Sequence, residues 1–152
     1  MTAPTVFDSA TPRFSLPLLF AGQAQKEFFV NEAHALIDVL LHSSIEGTAS
    51  NPPTDPIEGE CWLVGVAATG VWSGHEGSLA FCNGGAWRYL APTDGMRVFD
   101  RSARQVRMFD GVWRAAAAPI APTGGATVDS EARQAIEGLI SALRSHGILP
   151  DY

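Results

Sequence analysis

Residues 28–45, FFVNEAHALIDVLLHSSI, form the longest strongly periodic run in the chain, and the residues C-terminal to it read as short strands, turns and one further helix. Phe29, Ala33, Leu36 and Leu40 keep a 4-3-4 spacing, and Val30, Ile37 and Leu41 widen that stripe, the pattern of a helix half sunk in a core. Phe28, Ala35 and Val39 fall nearly opposite on a helical wheel and make a second, weaker apolar stripe. A helix with two apolar sides calls for two partners. The expectation is that the first stripe lies on the chain's own sheet and the second meets a neighbouring copy, although two heptads are too few for a coiled coil. The helix is expected to start near Gln23 and to fade at Ser43, Ser44 and Gly47.

A chain of 152 residues and 16.2 kDa can enclose a core as one domain without disulfide or metal staples. Charged residues make up 17%, below the usual quarter or so, which implies that more of the surface is neutral or covered by partners. The formal charge is -6 and the ten Lys and Arg are scattered, so no basic stripe is present to neutralise a phosphate backbone and nucleic acid is not an expected partner. No run of about 18 apolar residues offers a membrane span, and the first residues lack a basic and apolar leader pattern, so synthesis in the cytoplasm is expected. Cys61 and Cys82 sit in apolar, strand-like contexts and read as two buried free thiols.

The punctuation divides the chain into four segments. Residues 1–22 carry Pro4, Pro12 and Pro17 and end in an apolar Leu18, Leu19 and Phe20, an extended arm that must lie against its own domain or an adjacent subunit. Residues 23–115 hold the helix, a proline-rich crossing over residues 48–60, and a body of about six short antiparallel strands beginning at Cys61. Two hairpins in that body look alike: AFCNGGAWRYLAP and RMFDGVWRAAAAP share an aromatic, a turn with glycine, then Trp-Arg. Residues 116–128 are an Ala/Pro/Gly linker, and residues 129–152 carry a second helix. There Asp129 or Ser130 caps the start, Ala132, Ile136, Leu139 and Leu143 give a narrow stripe with Ile140 alongside, and Gly147 and Pro150 end it. The predicted class is α+β: arm and amphipathic helix on a small antiparallel meander, then linker and short helix. Phe28, Ala35, Val39, Ile136, Leu139 and Leu143 are the expected oligomer contacts, with the body folding without the C-terminal helix.

Candidate chemistry is sparse. His34, Asp38 and His42 share one side of the long helix at a spacing that suits a divalent metal, but no further ligand cluster accompanies them, so no metal or cofactor is expected. Ser73-Gly74-His75-Glu76-Gly77 matches neither a zinc-helix HExxH nor a GxSxG elbow, and its glycines place it in a turn that the His75 and Glu76 side chains hold together. Neither a dinucleotide fingerprint nor a P-loop occurs, and an enzyme is not expected. Of the tryptophans at 62, 72, 87 and 113, Trp87 and Trp113 come after turns and suit the closing of a sheet end; Trp72, with His75 and Glu76, is the candidate glycan-stacking surface.

Three stretches, PLLFAGQAQKEFFVNEAHALID, PPTDPIEGECWLV and TGVWSGHEGSLAFCNGGAWRYLAP, resemble in order and spacing the DUF2793 family, an uncharacterised domain of tailed phages and phage-derived gene transfer agents of alphaproteobacteria. The resemblance is close over residues 12–92 and looser through Trp113. Its motifs fall on Gly22, Gln23, Ala24, Gln25, Lys26, Asn31, Glu32, Ala33, Trp62, Gly74, His75, Glu76, Gly77 and Trp87. It implies a structural component of a particle, a tail-fibre or spike module, oligomeric with a trimer favoured. Other particle components and cell-surface polysaccharide are the implied partners, and no catalytic residues are implied.

Overall fold

The computed structural model describes residues 24–120 and 129–150, together with Pro17, Leu19, Gly22, Gly124 and Gly125. Most of the expected arm and residues 121–123 and 126–128 of the expected linker lie outside the described residues. The class is α+β. Helix α1 (Lys26–Leu41) is followed by β1 (Ser44–Ile45), β2 (Thr48–Ala49), β3 (Cys61–Val64), a single 3-10 turn at Gly70–Trp72, β4 (Leu79–Asn83) and β5 (Ala86–Leu90). Then come β6 (Arg97–Asp100), β7 (Gln105–Phe109), β8 (Trp113–Ala115) and α2 (Ser130–Ser145).

The six antiparallel strands are present but do not form one meander. They divide into two sheets, ordered β2-β3-β4-β5 and β1-β6-β7-β8, and each antiparallel triplet gains a parallel strand at its edge. One continuous segment supplies both added strands. Ser43 and Ile45 accept from Phe99 and Arg101 of the second sheet, after which Gly47 and Ala49 accept from Leu63 and Gly65 of the first. The crossing falls at Gly47, where a Cβ would lie 3.0 Å from Ser102 Oγ, so only glycine lets the segment pass between the sheets without displacing that side chain.

The two halves share one plan, beyond the likeness of their hairpins. Ahead of β3, Gly59 N–H donates to Cys82 and Cys82 N–H donates to Glu60; ahead of β6, Gly95 donates to Phe109 and Phe109 to Met96 in the same arrangement. A carboxylate next to each of those glycines caps the far hairpin: Glu58 accepts from Gly84 and Gly85, and Asp94 accepts from Gly111. Both glycines have positive φ, 83° and 85°. The halves differ in one connection, residues 65–78 between β3 and β4 against residues 101–104 between β6 and β7.

The main core lies between the sheets and α1, with Ile45, Leu63, Leu79, Phe81, Leu90 and Val98 buried in it. The helix presents Ala35, Leu36, Val39 and Leu40 to this core. That corrects the expected orientation: Ala35 and Val39, read as facing away, lie inside, whereas Phe29, Ile37 and Leu41 of the expected core stripe are 39%, 37% and 81% exposed. The inward face takes Leu36 and Leu40 from the first stripe and Ala35 and Val39 from the second, a rotation that periodicity alone does not fix. On the opposite face of the first sheet, Val64, Ala68, Trp72 and Ala80 form a second cluster roofed by the 65–78 connection.

Helix α2 begins on the Asp129 carboxylate, which accepts from Ala132 N–H at 2.8 Å, and ends in a glycine cap at Gly147, φ 66°. Its stripe is open, with Ile136, Leu139 and Leu143 at 42%, 65% and 38% exposed. The end of the helix is docked. Strand β8 stops at Ala115, opposite Arg107, and beyond it the Val106 N–H donates to the Gly147 carbonyl, while Leu149 is buried.

Candidate functional site

The connection 65–78 distinguishes the first half from the second, and it is held at several points. Gly77 N–H donates to Val64 and Val64 N–H to Ser78, closing its base. Glu76 Oε1 accepts from Ala68 N–H at 3.2 Å, and backbone N–H groups at Glu76, Gly74 and Ala68, with His75 nearby, hold its carboxyl below the usual range against a smaller opposing effect of burial. The Trp113 indole N–H donates to the Gly77 carbonyl at 2.8 Å and ties the second sheet to the same turn. His75 and Glu76 thus fasten a loop, in agreement with the expected turn.

His75 stacks on Tyr89 of β5, ring centroids 3.5 Å apart and planes within 1°, and the Tyr89 hydroxyl donates to the Val71 carbonyl. Burial pushes the Tyr89 phenol up from its ordinary value. Next along the strand, Trp87 stands edge-on to Trp72 at 5.0 Å and 85°. His75, Trp87 and Tyr89, but not Trp72, are among the residues lining a groove of about 580 Å³ at the edge of the first sheet beside α1. Phe81 forms part of its lining, Asn31 and Glu32 come from α1, and Asn83 and Arg88 come from the β4–β5 hairpin.

The candidate glycan surface is corrected accordingly. Trp72 is fully buried, in contact with Val64, Ala68 and Ala80, and offers no face for stacking. Glu76 lines a different cleft, about 650 Å³, between the 65–78 connection and the β7–β8 hairpin; His75 alone of the three belongs to the α1–β5 groove. The sequence reading missed Tyr89, Asn83 and Arg88. Alternation along AWRYL was the available signal, since it sets Trp87 and Tyr89 on one face of the strand and Arg88 on the other. Of the expected contacts, Phe28 is 65% exposed at the mouth of the groove, beside Ala35.

His34, Asp38 and His42 do not converge: among the described residues no group of three or more His, Cys, Asp or Glu is placed to hold a metal. Cys61 and Cys82 are buried free thiols on opposite faces of the first sheet, and burial, with Glu46 nearby, pushes the Cys61 thiol up to about 12. Among the described residues no helix is long and apolar enough to cross a membrane.

Together these features define a small α+β domain made of two like β units, one of them carrying a braced loop beside an open groove. The chain belongs to the DUF2793 family, described as proteins of unknown function, whose model matches residues 30–114, from α1 to β8. No curated protein matches the chain.

Proposed function

We propose that this chain is a non-enzymatic structural module of a phage-like or gene-transfer-agent particle, an oligomeric attachment piece at the base of a fibre or spike. The carrying observation is apolar surface left open on both helices: Phe28 at 65% and Leu41 at 81% on α1, Leu139 at 65% on α2. A partner covering these helix faces would take large apolar side chains out of water. The particle setting is supported by the resemblance of the GQAQK, SGHEG and Trp87 stretches to phage and gene-transfer-agent proteins. A trimer is the favoured assembly.

The test is localisation on the particle. Antibody against the chain should decorate purified phage-like particles from the producing strain, and peptides from residues 24–120 should appear in those particles by mass spectrometry. Recovery of the chain only in the particle-free fraction would contradict the proposal.

A further inference from the structure

We propose that the arm of the same chain, through residues 14–20, adds to the free edge of β5 as a further strand of the first sheet, alongside α1. Strand β5 ends its sheet, in the order β2-β3-β4-β5. Cys82 pairs with Trp87 across the β4–β5 hairpin, yet the Cys82 N–H donates to Glu60, so the main-chain groups of that pair point away from each other. By the alternation of an antiparallel ladder, Trp87 and Tyr89 both turn their N–H and C=O groups to the outer edge. Among the described residues neither makes a main-chain hydrogen bond there. Unpaired main-chain groups in a row are a template for another strand. The groove of about 580 Å³ at this edge is lined from both faces of β5, by Trp87 and Tyr89 on one and Arg88 on the other, with Phe28 and Leu36 of α1 as a side wall. A groove that reaches both faces of a strand straddles its edge, where an added strand lies.

Reach and pattern identify the occupant. The arm runs into α1 at Lys26, and Phe28, in the first turn, already lines the groove. Gly22 and Gln25 have φ of 79° and 55°, left-handed values that turn the chain sharply before the helix and let the arm run back beside it. Residues 14–20, extended, span about 23 Å, against roughly 17 Å for the five residues of β5. In that stretch Phe14, Leu16, Leu18 and Phe20 recur at every second position, the period of a strand with one face buried. Pro17 has no N–H to donate and suits an edge strand, the place this one takes. It is half-buried and forms a single β bridge, so the arm has strand geometry at that residue. A second copy carries the same stretch, but the chain's own arm is tethered within a turn of the groove, which raises its effective concentration there. The added strand would cover Phe28 and leave Leu41 and Leu139 as open apolar surface, so the inference holds whether the chain assembles or stays single.

The experiment is hydrogen exchange on the isotope-labelled full chain, read residue by residue by NMR, with the Ala80 and Cys82 amides of β4 reporting an intact sheet. Trp87 and Tyr89 amides should exchange slowly in the parent. Leu16→Asp with Leu18→Asp should speed both by roughly tenfold or more while Ala80 and Cys82 stay protected. Unlabelled parent added to the labelled variant should not restore protection; restoration would assign the strand to a second copy and overturn the proposal. Free exchange at Trp87 and Tyr89 in the parent would also overturn it, as would protection that survives the arm substitutions. Should the double substitution unfold the sheet, Leu16→Ser with Leu18→Ser must release Trp87 and Tyr89 while sparing Ala80 and Cys82 for the proposal to stand.

Discussion

The Trp113 indole donates to the Gly77 carbonyl across 36 residues of sequence, joining the last strand of the second sheet to the extra loop of the first. Trp113 also meets Phe109 edge-on at 5.3 Å, so its ring serves packing and its N–H serves the bridge. Trp113→Phe keeps the packing and removes the bridge. It should cost about 1 kcal/mol, a drop of roughly 2–4 °C in a domain of this size, measured by thermal unfolding. An unchanged melting temperature would show that this bridge adds nothing to the apolar core and the shared segment at residues 43–49.

Asp100 is fully buried and its carboxylate accepts from Ser102 Oγ at 2.6 Å, Ala103 N–H at 3.0 Å and Arg107 Nε at 2.7 Å. Burial alone would raise its pKa, but those hydrogen bonds and the Arg107 charge prevail and hold it below the ordinary 3.8. The folded state therefore binds the proton less readily than the unfolded chain. The resulting stability is present above pH 3.8 and is lost as pH falls through the lower folded value. Denaturant titrations at falling pH should show that loss in the parent and a flatter acid limb in Asp100→Asn. At neutral pH Asp100→Ala should cost roughly 3–5 kcal/mol, because it strands a half-buried guanidinium.

Gly47→Ala would bring a methyl to 3.0 Å from Ser102 Oγ, and that hydroxyl is already committed to Asp100. A loss of about 1–3 kcal/mol is expected in chemical denaturation. With Ser102→Ala in the same chain the two losses should sum to less than their separate values, since they disturb one contact. Strict additivity would mean that the methyl is accommodated elsewhere.

Several of these features are readable from residues alone. The long helix, β3 from Cys61, the Asn83-Gly84-Gly85 and Asp110-Gly111 turns and the capped start of α2 at Asp129 each arise from local patterning. Local patterning does not reach β1 and β2, two residues each, which exist only because two sheets offer them edges. Nor does it settle which apolar side of α1 faces inward, or that Trp72 is buried by a loop folded over the first sheet. The carboxylate caps at Glu58 and Asp94 stand in the sequence as Glu-Gly and Asp-Gly ahead of a strand, but their partners lie 26 and 17 residues onward. The groove is the least legible feature, because it joins α1, the extra loop and β5.

The sequence alone predicts a body that stays intact without its C-terminal segment. The buried Leu149 and the Val106 to Gly147 hydrogen bond argue otherwise. Truncation after Ala118 should lower the body's melting temperature, and Leu149→Ala in the full chain should reproduce much of that loss, roughly 2 kcal/mol or more. Leu139→Ala, on the open stripe, should leave the melting temperature of the isolated chain within about 0.5 kcal/mol of the parent. Equal losses in Leu139→Ala and Leu149→Ala would place the stripe, not the tail, against the body.

The proposed assembly through the open faces of α1 and α2 is read in the mass of the full chain in solution. Light scattering at micromolar concentration should give a multiple of 16.2 kDa, with three copies favoured, and Leu41→Asp with Leu139→Asp should reduce it to a folded single chain. A parent chain of 16.2 kDa across that range, with both helices formed, would rule out assembly through these faces.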